Sequence, residues 1–108
     1  MGWHFVYGGR HFCDLAGDKD EATIRFCVPH LVGASACDAG RLAEAVNDTN
    51  RHVKYVKVVR LDCGSVALDY DHQAEHGESA RTLVPHIIRA LDFASAYLLR
   101  KLRETKDR

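Results

Sequence analysis

Neither sign of charge dominates this sequence: fifteen Lys and Arg residues meet fifteen Asp and Glu, for a formal net charge of zero. A nucleic-acid binder normally carries a net basic surface that displaces counterions, so the balance argues against that class. The one basic stretch, from Arg81 to Arg108, reads as a solvated helix face whose positive end suits the helix dipole. Also absent is any apolar run of the roughly 20 residues that a bilayer-spanning helix needs. The opening Met1-Gly2-Trp3-His4 has neither the charged nor the apolar region of a signal peptide. Val6-Tyr7 supplies no Ser or Thr to support myristoylation at Gly2. The expectation is a cytoplasmic protein with no membrane partner. No Cys-x-x-Cys pair occurs, and Cys13, Cys27, Cys37 and Cys63 are widely spaced. In a reducing compartment they read as small buried hydrophobes, not as a disulfide framework or zinc site.

Catalytic signatures are missing too. There is no Gly-x-Ser-x-Gly elbow, and no Cys stands beside a His in a recognisable local motif. No glycine loop follows a strand and opens a helix to cradle phosphate; Gly8-Gly9 joins two strands and reads as a turn. Asp69 and Asp71 alternate at a strand end, as paired carboxylates do in glycosidases, but strand-end acids are far more often solvated. The expectation is a protein that is not an enzyme and uses no cofactor.

What is present suffices for one domain. The 108 residues are 46% hydrophobic and 28% charged, too apolar for a disordered chain and ordinary for a globular one. Trp3 to Tyr7 reads as a strand, Gly8-Gly9 as a tight turn tolerating positive φ, and His11 to Leu15 as the returning strand. After a polar loop, Ala22 to Val28 alternates, with Ile24, Phe26 and Val28 on one face and Thr23, Arg25 and Cys27 on the other. Pro29, lacking an N–H for the ladder, is expected to end that strand. Asp38 is the expected N-cap of a helix carrying Ala39, Leu42, Ala43 and Val46 on one stripe and closing at Asn50 in the left-handed conformation. Val53 to Leu61 and Ser65 to Tyr70 form a second hairpin around Asp62-Cys63-Gly64. The terminal helix runs to about Arg103, capped by Ser79 or, better, Thr82, which would place Pro85 in its first turn.

The order β-β-β-α-β-β-α is segregated enough for α+β: an antiparallel sheet from a three-stranded meander plus a hairpin, with the helices on one face. The terminal helix has a main stripe of Val84, Ile87, Ile88, Leu91, Leu98 and Leu102, and a weaker one of Ala90, Phe93, Ala94 and Tyr97. Either the two merge into one broad core face, or the second packs against something further: a helix of a larger protein, a second subunit, or a client.

Leu42-Ala-Glu-Ala-Val-Asn-Asp-Thr-Asn50, followed by Val56-Lys-Val-Val, Asp62-Cys-Gly-Ser-Val66 and a long terminal helix, resembles the YbjN family of bacterial sensory transduction regulators. Val46, Asn47 and Asn50 stand where that family has an apolar residue, Asn, two residues and Asn. The resemblance covers most of the chain and implies a single domain, 1–108, with a fold like type III secretion chaperones. Family domains usually begin with an amphipathic helix; here the first strand comes directly, so either that helix is absent or the sequence is part of a longer protein. The physical reading of Asn47 and Asn50 is structural, with Asn47 bonding backbone at the helix–strand junction.

The function expected is therefore a non-enzymatic, chaperone-like interaction module that binds protein, its own copy included, as a homodimer. Phe93, Tyr97 and Ala90 are the candidate contacts, with Trp3 and Tyr7 on the meander edge as alternatives, since aromatics anchor interfaces best. The alternative is a small-molecule or metal sensor using the His-rich loop 71–78, where His72 and His76 stand four apart near Asp71 and Glu75. A solvated polar loop is the simpler reading, with no metal bound. Zinc is thus expected to leave the thermal midpoint of untagged protein unchanged. Stabilisation by zinc that a His72→Ala, His76→Ala double variant loses would establish the metal site instead.

Overall fold

The computed structural model describes residues 4–14, 23–33, 38–73 and 80–106. Its elements are β1 (His4–Tyr7), β2 (Arg10–Asp14), β3 (Thr23–Val32), α1 (Ala39–His52), β4 (Val56–Arg60), β5 (Val66–Gln73) and α2 (Ala80–Lys106). The fold is α+β in the order expected. One five-stranded sheet runs β1-β2-β3-β5-β4, every neighbouring pair antiparallel. The second hairpin therefore docks its returning strand, β5, onto β3 and leaves β4 on the outside. Gly8 and Gly9, with φ of 59° and 80°, make the β1–β2 turn that only residues without a Cβ adopt freely.

Strand alternation sorts the residues cleanly. Phe12, Phe26, Val28, Val56, Val58, Val66, Leu68 and Tyr70 form one buried face, and Ile87, Leu91, Ala94, Leu98 and Leu102 of α2 lie in the same cluster. α1 packs between α2 and β4, adding Leu42 and Ala45. Two buried hydroxyls meet their needs inside their own helices: Thr49 Oγ1 donates to the Ala45 carbonyl and Ser95 Oγ to the Leu91 carbonyl, each at 2.8 Å. Asp38 is the N-cap, accepting from the Arg41 N–H at 3.2 Å.

Several boundaries differ from the sequence expectation, each for a physical reason. β3 does not stop at Pro29. Its register with β5 passes from Val28↔Leu68 to Val32↔Val66, so Pro29 sits in a bulge where no ladder N–H is required, and His30 adopts φ of 51°. β5 likewise continues to Gln73 by pairing with Thr23, which puts His72 on a strand; His76 lies outside the described residues. Thr82 is not the cap of α2, which begins at Ala80. Leu83 and Val84 pack against the core, and that burial sustains a helical turn ahead of Pro85 although Pro85 has no N–H for the Arg81 carbonyl. The α1 stripe is Leu42, Ala45 and Thr49, with Val46 partly buried against the core and Ala39 and Ala43 exposed: alanines bury too little area to set a helix's rotation against its larger neighbours.

Asn50 is not a left-handed cap. α1 continues to His52 and closes at Val53, whose N–H donates to the Thr49 carbonyl at 2.9 Å. The chain then turns through Tyr55 at φ of 69°, so β4 starts at Val56 and not at Val53. This brings the Asn50 amide against the outer edge of β4. Its Nδ2 donates to the Val58 carbonyl at 3.1 Å, and the Val58 N–H donates to its Oδ1 at 2.8 Å. One side chain thus supplies the donor and acceptor that a further strand would have supplied. Asn50→Ala is expected to lower stability by about 2 kcal/mol, two net hydrogen bonds, in denaturant unfolding. Asn50→Asp, which keeps the acceptor but sets a carboxylate against the Val58 carbonyl, is expected to be no better than Asn50→Ala.

Candidate functional site

With the buried stripe of α2 fixed on the sheet, the helix's rotation decides what faces outward. Ala94 falls in the core and Ala90 is half-buried against it. The weaker apolar stripe therefore divides. Phe93, 63% exposed, remains on the outer ridge and lines a shallow concavity with Ala96, Tyr97, Arg100 and Arg103. Tyr7 lies elsewhere, over Pro85, Ile88 and Arg89 at the far half of α2. Its ring meets Phe12 edge-on, and a neighbouring Arg10–Asp92 ion pair ties β2 to the helix. Trp3 lies outside the described residues.

Tyr97 is held by a charged network at the α1–α2 junction. Its hydroxyl donates to Asp48 Oδ2 at 3.0 Å, and Arg100 and Lys101 stand over its ring, 5.2 and 5.6 Å from the centroid. Lys101 also reaches Asp48 at 3.7 Å and Glu104 at 3.3 Å, while His52 Nδ1 is 3.1 Å from Asp48 Oδ1. The Tyr97 hydroxyl, aided by Lys101 and His52, holds the Asp48 carboxyl below the usual carboxylate range. Partial burial, then the same hydrogen bond, pushes the Tyr97 phenol up. Asn47 is exposed on the wall of the adjoining cleft, about 210 Å³, together with Glu44, Arg51 and Glu104. The backbone grip of the Asn pair belongs to Asn50.

The opposite face of the sheet carries a second set of polar groups. Cys13, Cys27, Asp69 and Lys57 line up in register across four strands, beside the Arg25–Asp71 pair at 3.2 Å. Burial, then the nearby Cys13, pushes the Cys27 thiol up to about 12. Burial, then the charge of Asp71, raises the Asp69 carboxyl. Asp69 and Asp71 share this face, but Asp71 is engaged with Arg25. Across the β1–β2 hairpin, His4 Nε2 and His11 Nδ1 are 3.0 Å apart with their rings stacked. Among the described residues no group of three or more His, Cys, Asp or Glu side chains is placed to hold a metal ion. No helix among them is long and apolar enough to cross a membrane.

Sequence spacing could not reveal Asp48 as the partner of Tyr97, since the two are 49 residues apart. Nor did it single out Tyr55, 78% exposed at the α1–β4 turn, which reads as a strand residue by composition. Cys63 departs from the expectation of a buried thiol: it is exposed, whereas Cys27 is buried and Cys13 half-buried.

Fold and surface together define a small antiparallel α+β domain with one aromatic and basic helix ridge turned to solvent. No protein-family profile matches the chain, and no curated protein sequence matches it.

The two carboxyls have opposite signs of pH linkage. Folding favours ionised Asp48, so its contribution is present above the usual carboxylate range and is lost as pH falls through the lowered value. Folding disfavours ionised Asp69, so its contribution is present below the usual range and is lost as pH rises through the raised value. Thermal melts from about pH 7 down to about pH 3 should separate them. Asp48→Asn is expected to lower the midpoint near neutrality and Asp69→Asn to raise it, both differences shrinking in acid. An Asp69→Asn variant less stable than wild type at neutral pH would contradict this assignment.

Proposed function

We propose that this chain is a non-enzymatic protein-interaction module of the chaperone-like kind implied by the YbjN resemblance, acting in the cytoplasm as a homodimer through the outer ridge of α2. The observation that carries the reading is Phe93, which is 63% exposed on a helix whose opposite stripe is buried. A large aromatic on a regular helix is a ready anchor, because little backbone entropy is lost when a partner covers it.

A second copy fits the ridge by symmetry. An isologous contact requires each residue to meet its own image or to exchange partners. In an antiparallel pairing of two α2 helices about a dyad between Ala96 and Tyr97, Phe93 would meet the partner's Arg100, and Ala96 would meet the partner's Tyr97. The small Ala96 lets the helices approach, and guanidinium over aromatic ring is the contact Arg100 already makes within its own helix. Arg103 extends the ridge with further positive charge, so an acidic client is the complement expected once dimers form.

Light scattering over a concentration series tests the proposal. The wild type is expected to dimerise, and Phe93→Asp to weaken the dimer by at least about 30-fold, the effect of losing a 2 kcal/mol anchor. At concentrations where both are monomeric its thermal midpoint should match that of wild type, because the side chain is outside the core. A monomer at high concentration, or a dimer indifferent to Phe93→Asp, would overturn the reading.

A further inference from the structure

The turn between β4 and β5 holds a constellation that the interaction surface does not use. Cys63 is exposed there, and its Sγ lies 3.1 Å from Ser65 Oγ. That hydroxyl, on a residue only 5% exposed, lies 2.7 Å from His30 Nδ1 on β3. A surface thiol is thereby connected through a buried hydroxyl to an imidazole 35 positions from that serine.

Two features of the backbone place these groups together. The turn is closed by Gly64 N–H donating to the Leu61 carbonyl and Leu61 N–H to the Ser65 carbonyl, both at 2.8 Å, with Gly64 at φ of 92°. The bulge after Val28 then directs His30, at φ of 51°, towards Ser65, the residue that leads into β5. The charged neighbours on the turn are Arg60, which donates to the Gly64 carbonyl at 3.2 Å, and Asp62, whose charge opposes a thiolate. Even so, the Ser65 side chain and then its backbone hold the Cys63 thiol below its ordinary value.

We propose that Cys63 is a hydroperoxide-reactive thiol, with Ser65 and His30 forming the relay that accepts its proton and returns it to the departing oxygen. With His30 neutral and Nδ1 unprotonated, Cys63 S–H donates to Ser65 Oγ and the Ser65 hydroxyl donates to Nδ1. Shifting both protons reverses the chain. Nδ1–H then donates to Ser65 Oγ, and the Ser65 hydroxyl donates to the thiolate. The thiolate attacks one oxygen of ROOH, an S–O bond forms and the O–O bond breaks. Sulfur loses two electrons and the peroxide gains them. The leaving RO⁻ takes the proton stored on His30, so the balance is Cys–SH plus ROOH giving Cys–SOH plus ROH.

The choice of hydroperoxide follows from what the relay supplies. An alkylating agent uses the thiolate alone, whereas cleavage of O–O also needs a proton on the departing atom. Sulfenic acid is the reversible rung of thiol oxidation, so the product on an exposed turn would be open to reduction by small thiols.

The test treats the whole chain with hydrogen peroxide in the presence of dimedone and follows the adduct at each cysteine by mass spectrometry. Cys63 is expected to be trapped at least about tenfold faster than free cysteine and faster than Cys13 or Cys27. Ser65→Ala and His30→Asn should each remove about tenfold or more of that rate. Asn tolerates positive φ and hydrogen-bonds without carrying the proton, so His30→Asn remains informative where loss of the buried Ser65 hydroxyl unfolds the chain. Trapping at the rate of free cysteine, or a folded His30→Asn variant that reacts like wild type, would overturn the proposal. So would a larger rate advantage over free cysteine with glutathione disulfide than with hydrogen peroxide.

Discussion

Ile87, Leu91, Leu98 and Leu102 lose nearly all contact with water against the sheet face made by Phe26, Val28, Val58, Leu68 and Tyr70. Fully burying one such side chain contributes roughly 1.5–3 kcal/mol, so this layer is the main source of favourable free energy in the domain. Its geometric consequence matters as much as its energy. A helix carrying large aliphatic residues at this spacing has one rotation that buries them all. Once that rotation is set, Ala94 is inside and Phe93 is outside, whatever their individual hydropathies.

The same layer determines where α1 must go. It occupies the space beside α2 and over β4, and its C-terminal turn overhangs the open edge of the sheet. Asn50 then satisfies both backbone groups of Val58, which would otherwise present a pairing edge to other chains. At the other end of the same helix pair, the Arg41 guanidinium donates to the Leu102 carbonyl at 2.9 Å. The Arg41–Leu102 and Asp48–Tyr97 bonds make the α1–α2 junction directional where apolar packing alone would allow sliding, and Asn50 fixes the end of α1 to β4.

Irregular backbone appears where the two halves of the sheet join. β3 is the long strand shared by the meander and the second hairpin, and its bulge absorbs the mismatch between Val28↔Leu68 and Val32↔Val66. Pro29 makes the bulge favourable at that point because it has no N–H to leave unpaired. The left-handed His30 that follows is the price of this continuity, and it directs an imidazole to Ser65. A residue that looked like a strand terminator thus positions a side chain between strands.

Alternation in β3 and β5, the Gly8-Gly9 turn, the Asp38 cap and the aliphatic spacing of α2 are local properties, and each was legible in the residues alone. So were the element order and the α+β class, because periods of about 2 and 3.6 residues need no knowledge of the partner surface. Element ends were less legible: Thr82, Pro29 and Asn50 carry strong local preferences, yet packing of Leu83 and Val84, strand pairing beyond the bulge and the β4 edge prevailed over them. The surface features were least legible. That Phe93 is exposed, that Tyr97 meets Asp48, and that Cys63, Ser65 and His30 form a chain all depend on contacts between residues far apart in sequence. Sequence by itself determined which segments are helix and strand and which face of each is apolar. Tertiary structure alone decided which polar groups meet, because hydrogen-bond partners are chosen by the position of strands and helices in space, and one residue of rotation or register exchanges every neighbour.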